Sequence, residues 1–165
     1  MTAHAFYRAL RPEWAFAPLS GEGAARNGGR WNAKGQPALY FAADPITALA
    51  EYQQGLSFRP ATLASYLVRG AALADLTDPA FRLAHDIPDA MLEVDWRAQT
   101  RAGEDPETWT VAERLEREGF DGLLYSSRIN GGLCLVLWHW NEGDGCAVSV
   151  EDPDGRLPRD NTSWT

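Results

Sequence analysis

Three separated segments of the sequence carry side chains that could bind and cleave a charged, planar small molecule. The first, residues 28–32, reads Gly-Gly-Arg-Trp-Asn. Its two glycines let the backbone approach a ligand closely, and Arg30 supplies a bidentate cation with the indole of Trp31 beside it as a further ligand contact. The same residues also suit a surface turn with a solvated arginine. The segment therefore indicates a binding site only if other polar side chains lie near it.

A tyrosine and a glutamate in the next part of the chain are candidates to complete such a site. Tyr40 lies in the apolar run 37–42, which predicts a buried strand, and Asp44 followed by proline predicts a helix over 46–54. Glu51 falls on this helix among apolar neighbours, where a carboxylate is costly unless it is paired or used. Taken alone, a core tyrosine and a solvated glutamate are the simpler interpretations.

The third segment, residues 125–128, reads Tyr-Ser-Ser-Arg and ends one predicted strand at the turn toward the next. Side chains at such a turn project from a rigid scaffold, so the hydroxyl of Ser126 or Ser127 could bind a ribose or a phosphate. A nucleophilic role is disfavoured, because the histidines show no recognisable spacing to either serine and the Gly-x-Ser-x-Gly pattern is absent. The Gly-rich stretch 20–25 lacks the spacing of a phosphate-binding loop and is predicted to be a flexible lip.

The elements that must position these segments indicate an α+β domain. Periodicity and turn residues predict strands at 6–10 and 62–69, a hairpin of strands at 121–125 and 133–138, an edge strand at 146–150, and a helix over 110–118 capped by Thr110. Residues 71–106 are predicted to form short helices and loops rather than another sheet. We expect a single domain over residues 1–150 and a polar tail over 151–165.

Composition disfavours several classes of protein. The chain has 165 residues and a net charge of −8, which opposes direct binding to nucleic acid. Its two cysteines lack metal spacing, so we expect reduced structural thiols and no metal site. With neither a signal-like N-terminus nor a run of about 18 apolar residues, we expect a cytoplasmic protein without membrane insertion.

In their order along the chain, the three segments resemble the RES domain, named for its Arg, Glu and Ser. RES domains serve as toxins in bacterial toxin–antitoxin pairs with an Xre-like antitoxin. The resemblance runs from about Phe6 to Trp138 and is most specific over residues 20–35, followed by 37–40 and the helix to Glu51. It implies an ADP-ribosyltransferase-like fold, in which a split pair of small β-sheets with flanking short helices holds NAD in the cleft between them.

The resemblance also implies roles for individual residues. Arg30 matches the family arginine, Tyr40 the aromatic that lies against nicotinamide, and Glu51 the family glutamate. Ser127 matches the family serine in a Tyr-x-Ser pattern, but Ser126 replaces the usual proline and is kept as an alternative. Breaking the nicotinamide–ribose bond builds positive charge on the ribose, which a carboxylate such as Glu51 can stabilise.

The implied activity is cleavage of NAD as a co-substrate without a metal, and three fates of the ADP-ribose stay open. We favour transfer to a cellular protein, with hydrolysis by water or phosphorolysis as alternatives. The implied partner is an Xre-like helix-turn-helix antitoxin. A different class of function is a non-catalytic protein-binding module that uses Arg30 and the seven tryptophans as anchors. That hypothesis predicts that NAD is left unchanged.

Overall fold

The computed structural model describes residues 2–54 and 58–164, in which the chain forms seven strands and five α-helices. The strands are β1 (Ala3–Leu10), β2 (Leu39–Ala42), β3 (Thr62–Arg69), β4 (Leu73–Asp75), β5 (Gly122–Ser126), β6 (Leu133–Leu137) and β7 (Ala147–Glu151). The helices are α1 (Glu22–Asn27), α2 (Pro45–Gln53), α3 (Pro79–Ala84), α4 (Trp96–Arg101) and α5 (Glu107–Arg117), and short 3₁₀ helices lie at Pro12–Trp14, Asp89–Glu93 and Thr162–Trp164.

The strands form a sheet in the order β4-β5-β6-β2-β1-β3-β7. Only the β4–β5 pair is parallel among the described strands, and the other pairs are antiparallel. The α+β class and the short helices predicted from the sequence are confirmed. The two small sheets that the resemblance implies are halves of one continuous sheet, joined where Tyr7 of β1 pairs with Ala42 of β2.

Each face of the sheet carries its own hydrophobic core, because successive strand residues point to opposite faces. Tyr125 and Cys134 belong to the first core, which α2 and α5 help to cover, whereas Leu135 and Phe41 belong to the second. Tyr125, Cys134, Ala42 and Tyr7 lie side by side across four strands through their pairing register. The candidate site lies near this row of residues on the first face of the sheet.

Several predicted elements are confirmed. The strand at Thr62–Arg69 has the predicted bounds, the hairpin pairs Tyr125 with Cys134, and the edge strand is β7. Asp44 caps α2 by accepting a hydrogen bond from the Thr47 backbone N–H at 2.8 Å. These elements depend on local side-chain chemistry and alternation, which the sequence displays directly.

Three predictions about local structure are wrong. The stretch 20–25 is mostly part of α1 rather than a flexible lip, because its alanines favour a helix and Ala24 packs against the first core. Helix α5 begins at Glu107, so Thr110 lies inside its first turn and does not cap it; the Pro106 carbonyl accepts a hydrogen bond from the Trp109 N–H at 2.9 Å, and Thr108 is buried. The region 71–106 contributes β4, which pairs with β5 and buries Ala74.

Both cysteines are free and buried, as predicted. Burial raises the pKa of the Cys134 thiol to about 12 and that of the Cys146 thiol to about 11. Residues 152–157 after β7 form a turn in which Asp152 accepts backbone hydrogen bonds from Arg156 and Leu157. The division into a domain and a tail at residue 150 stays a prediction. None of the helices in the described ranges is long and apolar enough to span a bilayer.

Candidate functional site

The turn at residues 28–32 joins α1 to β2 and is fixed by close packing around its two glycines. Gly28 has a φ of +70°, a conformation that favours glycine, and a Cβ there would lie 2.9 Å from the ring of Trp109. A Cβ on Gly29 would lie 2.5 Å from the Tyr40 hydroxyl and from Asn32 Oδ1. The Gly29 carbonyl accepts a hydrogen bond from the Trp109 indole N–H at 2.7 Å. Both glycines are therefore required by packing alone.

Tyr40 and Asn32 form the hydrogen-bonded support of this turn. The Tyr40 hydroxyl donates to Asn32 Oδ1 at 2.7 Å and accepts from the Trp31 backbone N–H at 2.9 Å. Asn32 is fully buried, and its amide N–H groups donate to the carbonyls of Ala24 and Gln36 at 3.1 and 2.9 Å. Burial raises the pKa of Tyr40 far above its usual range, so the hydroxyl keeps its proton for this network.

Arg30 lies over the aromatic rings of the first core. Its guanidinium carbon is 5.2 Å from the Trp31 ring centroid and 5.6 Å from that of Tyr125. One guanidinium nitrogen donates a hydrogen bond to the Leu92 carbonyl, while the buried Nε has no partner among the described residues. Burial lowers the pKa of Arg30; Tyr125 and Glu51 oppose this change, whereas Arg128 reinforces it. Buried donors without a partner are uncommon in folded proteins, and this one belongs to the side chain at the centre of the candidate site.

Glu51 lies on α2 and faces the same group of side chains. Helix α2 packs Ala48 into the first core, to which Ala42 and Cys134 also belong. The negative charge of Glu51 contributes to the raised pKa values of Cys134 and Tyr125, after the larger effect of burial. Within the described ranges, no hydrogen bond or ion pair engages the Glu51 carboxylate. Glu51 is thus near enough to Arg30 for their charges to interact, no ion pair joins the two side chains, and the carboxylate is available.

The two serines of the third segment have different positions. Ser126 ends β5 and is exposed, and alternation after Tyr125 places it on the opposite face of the sheet from Arg30. Ser127 is only 5% exposed, and its Oγ accepts hydrogen bonds from the backbone N–H groups of Ile129 and Asn130 at 3.1 and 3.3 Å. The hydroxyl proton of Ser127 is not used in these bonds. The geometry therefore favours Ser127 over Ser126.

A hydrogen-bonded network fixes the loop 127–132 against α2. Asn130 Nδ2 donates to Thr47 Oγ1 at 3.1 Å, and Thr47 Oγ1 donates to Asp44 Oδ2 at 2.7 Å. Thr47 is 2% exposed, and a Cβ on Gly132 would lie 2.1 Å from its hydroxyl. The loop that begins with the serine is thereby held beside the helix that carries Glu51.

Trp31 does not present a surface to a ligand. Its side chain is fully buried, tilted against Tyr125 at a centroid distance of 5.9 Å. Its carbonyl accepts a hydrogen bond from the Trp138 indole at 2.8 Å. We therefore describe Trp31 as the support beneath Arg30, and a direct contact with substrate would require the core to open.

Sequence reasoning did not assign three residues that lie near Arg30. The ring of Tyr125 lies beneath the Arg30 guanidinium. The charge of Arg128 lowers the pKa of Arg30, and the charge of Glu93 raises it. Tyr125 and Arg128 could have been assigned to the site because they lie within two residues of Ser127 in the sequence. Glu93 lies in a region with no distinguishing pattern.

A separate depression of about 710 Å³ lies behind the turn, between residues 33–37 and helix α5, and includes Trp109 and Glu116. Arg30, Glu51 and Ser127 do not line it. In the described part of the chain, no cluster of three or more His, Cys, Asp or Glu side chains could hold a metal ion.

The fold and the site together define an α+β protein in which an arginine on aromatic rings lies near an available helix carboxylate. The family model of the RES domain matches residues 5–160, and the chain belongs to this family. Its structure is similar to a chain of the solved M. tuberculosis MbcT-MbcA toxin-antitoxin complex, with a TM-score of 0.60 and 26% sequence identity. That match covers 82% of this chain and 74% of the other. No curated protein matches the chain.

Proposed function

We propose that this protein is the toxin of a toxin–antitoxin pair and that it cleaves the nicotinamide–ribose bond of NAD. The observation that carries the proposal is Arg30 held over the ring of Tyr125, with the charge of Glu51 acting on it and the Glu51 carboxylate free of hydrogen bonds and ion pairs in the described ranges. A buried guanidinium whose pKa is lowered, with an unengaged carboxylate near it, is a combination typical of ligand-binding sites.

The residues present fit this substrate. The Nη donors of the partly exposed Arg30 that Leu92 does not occupy support binding of an anionic or amide group, and the partly exposed Tyr40 provides an aromatic surface for nicotinamide. When the bond breaks, its electron pair leaves with the nicotinamide nitrogen, and positive charge develops on the ribose. Glu51 stabilises that charge, and Ser127 donates its free hydroxyl proton to the ribose or the amide.

The nucleophile that completes the reaction decides the product. Arg30, Tyr40 and Glu51 are each partly exposed, so a macromolecule has access to the site. We therefore favour transfer of ADP-ribose to a cellular protein. Water would give free ADP-ribose, and phosphate would give ADP-ribose 1″-phosphate.

The proposed partner is a helix-turn-helix antitoxin of the Xre type. The similar solved structure is described as a toxin-antitoxin complex, which supports a partner of this kind. Expression of this chain alone should arrest growth of a bacterial host, and co-expression with an adjacent helix-turn-helix reading frame should restore growth. Growth arrest that persists in a Glu51→Gln variant would contradict the toxic role of NAD cleavage.

Nicotinamide release from NAD by the purified protein tests the activity directly. Glu51→Gln should abolish release with only a small loss of stability, because no described hydrogen bond depends on the carboxylate and only its charge interaction with Arg30 is removed. Glu104→Gln makes the same chemical change at an exposed position and should retain full activity. NAD labelled on adenine then separates the acceptors: label that stays on denatured protein supports transfer, and label found in ADP-ribose or its phosphate supports the alternatives. If wild-type protein releases no nicotinamide with cell extract and phosphate present, the proposal fails.

A further inference from the structure

Two arginines from distant parts of the chain converge on one short segment beside the candidate site. This segment, residues 92–94, lies at the end of the 3₁₀ helix Asp89–Glu93. Arg30 donates to the carbonyl of Leu92, and Arg128 Nη1 donates to the carbonyl of Val94 at 3.2 Å. The two cations are close enough for the charge of Arg128 to lower the pKa of Arg30.

Two like charges repel each other, and acidic side chains partly offset this repulsion. Glu51 and Glu93 both act on Arg30 in the opposite direction to Arg128. The Glu93 carboxylate also lies 3.7 Å from Arg128 Nε, in a pair whose side chains are 78% and 43% exposed. Such exposed pairs stabilise a fold little, so an anionic ligand can replace Glu93 at small cost.

The two guanidinium groups have hydrogen-bonding capacity that the protein does not use. A guanidinium has five N–H donors, and one of those of Arg30 donates to Leu92. Arg128 makes one carbonyl hydrogen bond besides its contact with Glu93. The pyrophosphate of NAD carries two negative charges and several acceptor oxygens, which match two forked cations.

Arg128 also projects from a backbone that is already ordered. Ser127 Oγ accepts hydrogen bonds from two backbone N–H groups of the loop 127–132, and Asn130 anchors the loop to Thr47 at 3.1 Å. Because the loop is already ordered, less backbone conformational entropy is lost when Arg128 binds a ligand.

We infer that Arg128 is a second anion-binding residue of this site, which takes the substrate pyrophosphate together with Arg30, and that Glu93 occupies Arg128 until substrate displaces it. This inference rests on the proposed function, because it assigns one part of NAD to a residue of the same site.

The test is the kinetics of NAD cleavage by charge variants. Arg128→Gln should raise KM for NAD by about tenfold to a hundredfold with little change in kcat, since charge-assisted hydrogen bonds to the unreacting pyrophosphate are lost. Arg128→Lys should recover part of the affinity, and Glu93→Gln should lower KM. Arg159→Gln removes the same charge at an exposed position where the structure shows no ion pair, and should behave as wild type.

An unchanged KM in Arg128→Gln would overturn the inference, as would a fall in kcat alone. Failure of the proposed function has a different signature: wild-type protein would not cleave NAD. In that case, calorimetric titration with inorganic pyrophosphate still tests the anion site. Weaker binding by Arg128→Gln than by wild type supports the site, and equal binding or no binding by the two proteins rejects it.

Discussion

Replacement of Tyr40 by phenylalanine tests the support of the Arg30 turn. The variant keeps the ring but removes the hydroxyl that donates to Asn32 Oδ1 and accepts from the Trp31 N–H. Both partners belong to fully buried residues, so each loses its hydrogen bond in a place that water does not reach. A buried polar group left without a partner costs about 1–3 kcal/mol.

The two losses together should lower the free energy of unfolding by about 2–6 kcal/mol, and the melting temperature by about 2–4 °C for each kcal/mol in a chain of this size. The turn that carries Arg30 would become more flexible when these two hydrogen bonds are lost. Because small displacements of a positioning group are costly in catalysis, we expect kcat/KM for NAD to fall by about a hundredfold. Urea unfolding and nicotinamide release measure the two effects.

Tyr52→Phe is the matched control for this experiment. The Tyr52 hydroxyl donates to the Pro60 carbonyl at 2.8 Å in an exposed position, where water replaces the lost bond. We expect this change to cost less than about 1 kcal/mol and to leave activity intact. Equal, small losses of stability in the two variants would refute the reasoning. If Tyr40→Phe lost activity at full stability, the hydroxyl would act on the substrate itself rather than through the turn.

Three further predictions concern packing and ionisation. Gly132→Ala should destabilise the protein by about 1–3 kcal/mol in urea unfolding, because the new Cβ would lie 2.1 Å from Thr47 Oγ1. Gly145→Ala, whose Cβ meets only a carbonyl at 4.0 Å, should change little, and equal effects would contradict this packing argument. Cys134 and Cys146 should resist iodoacetamide at pH 8 until the chain unfolds, since burial raises the pKa of their thiols to about 12 and about 11. The folded chain keeps thiol protons that the unfolded chain releases, so the urea midpoint should fall as pH rises from about 9 toward 12. A midpoint that stays constant over this range would count against the raised thiol pKa values.

The parts of the fold that sequence could predict are those decided by near neighbours. Asp44 caps α2 through a residue three positions away, and Thr62–Arg69 alternates between residues of the second core and more exposed residues along a single strand. The choice between Ser126 and Ser127 also had a local signal, because a strand residue next to the buried Tyr125 must point to the other face.

The parts that could not be predicted depend on contacts between distant segments. The hydrogen bond from Arg30 to Leu92 joins residues 62 positions apart, and that from Asn130 to Thr47 joins residues 83 apart. No local sequence pattern predicts these two pairs, because the acceptors are a backbone carbonyl and the hydroxyl of a threonine. For the same reason β4 was missed: its three residues become a strand only by pairing with β5.

The turn at residues 28–32 has a consequence for how sequence variation in RES domains should be interpreted. Packing fixes Gly28 and Gly29, burial fixes Trp31, and hydrogen bonding to three backbone carbonyls fixes Asn32. We therefore expect these four positions to stay invariant even in relatives that have lost enzymatic activity. Arg30 is the position of the five whose side chain belongs to the candidate site, so divergence there would indicate a change of function together with the loss of its contact to Leu92.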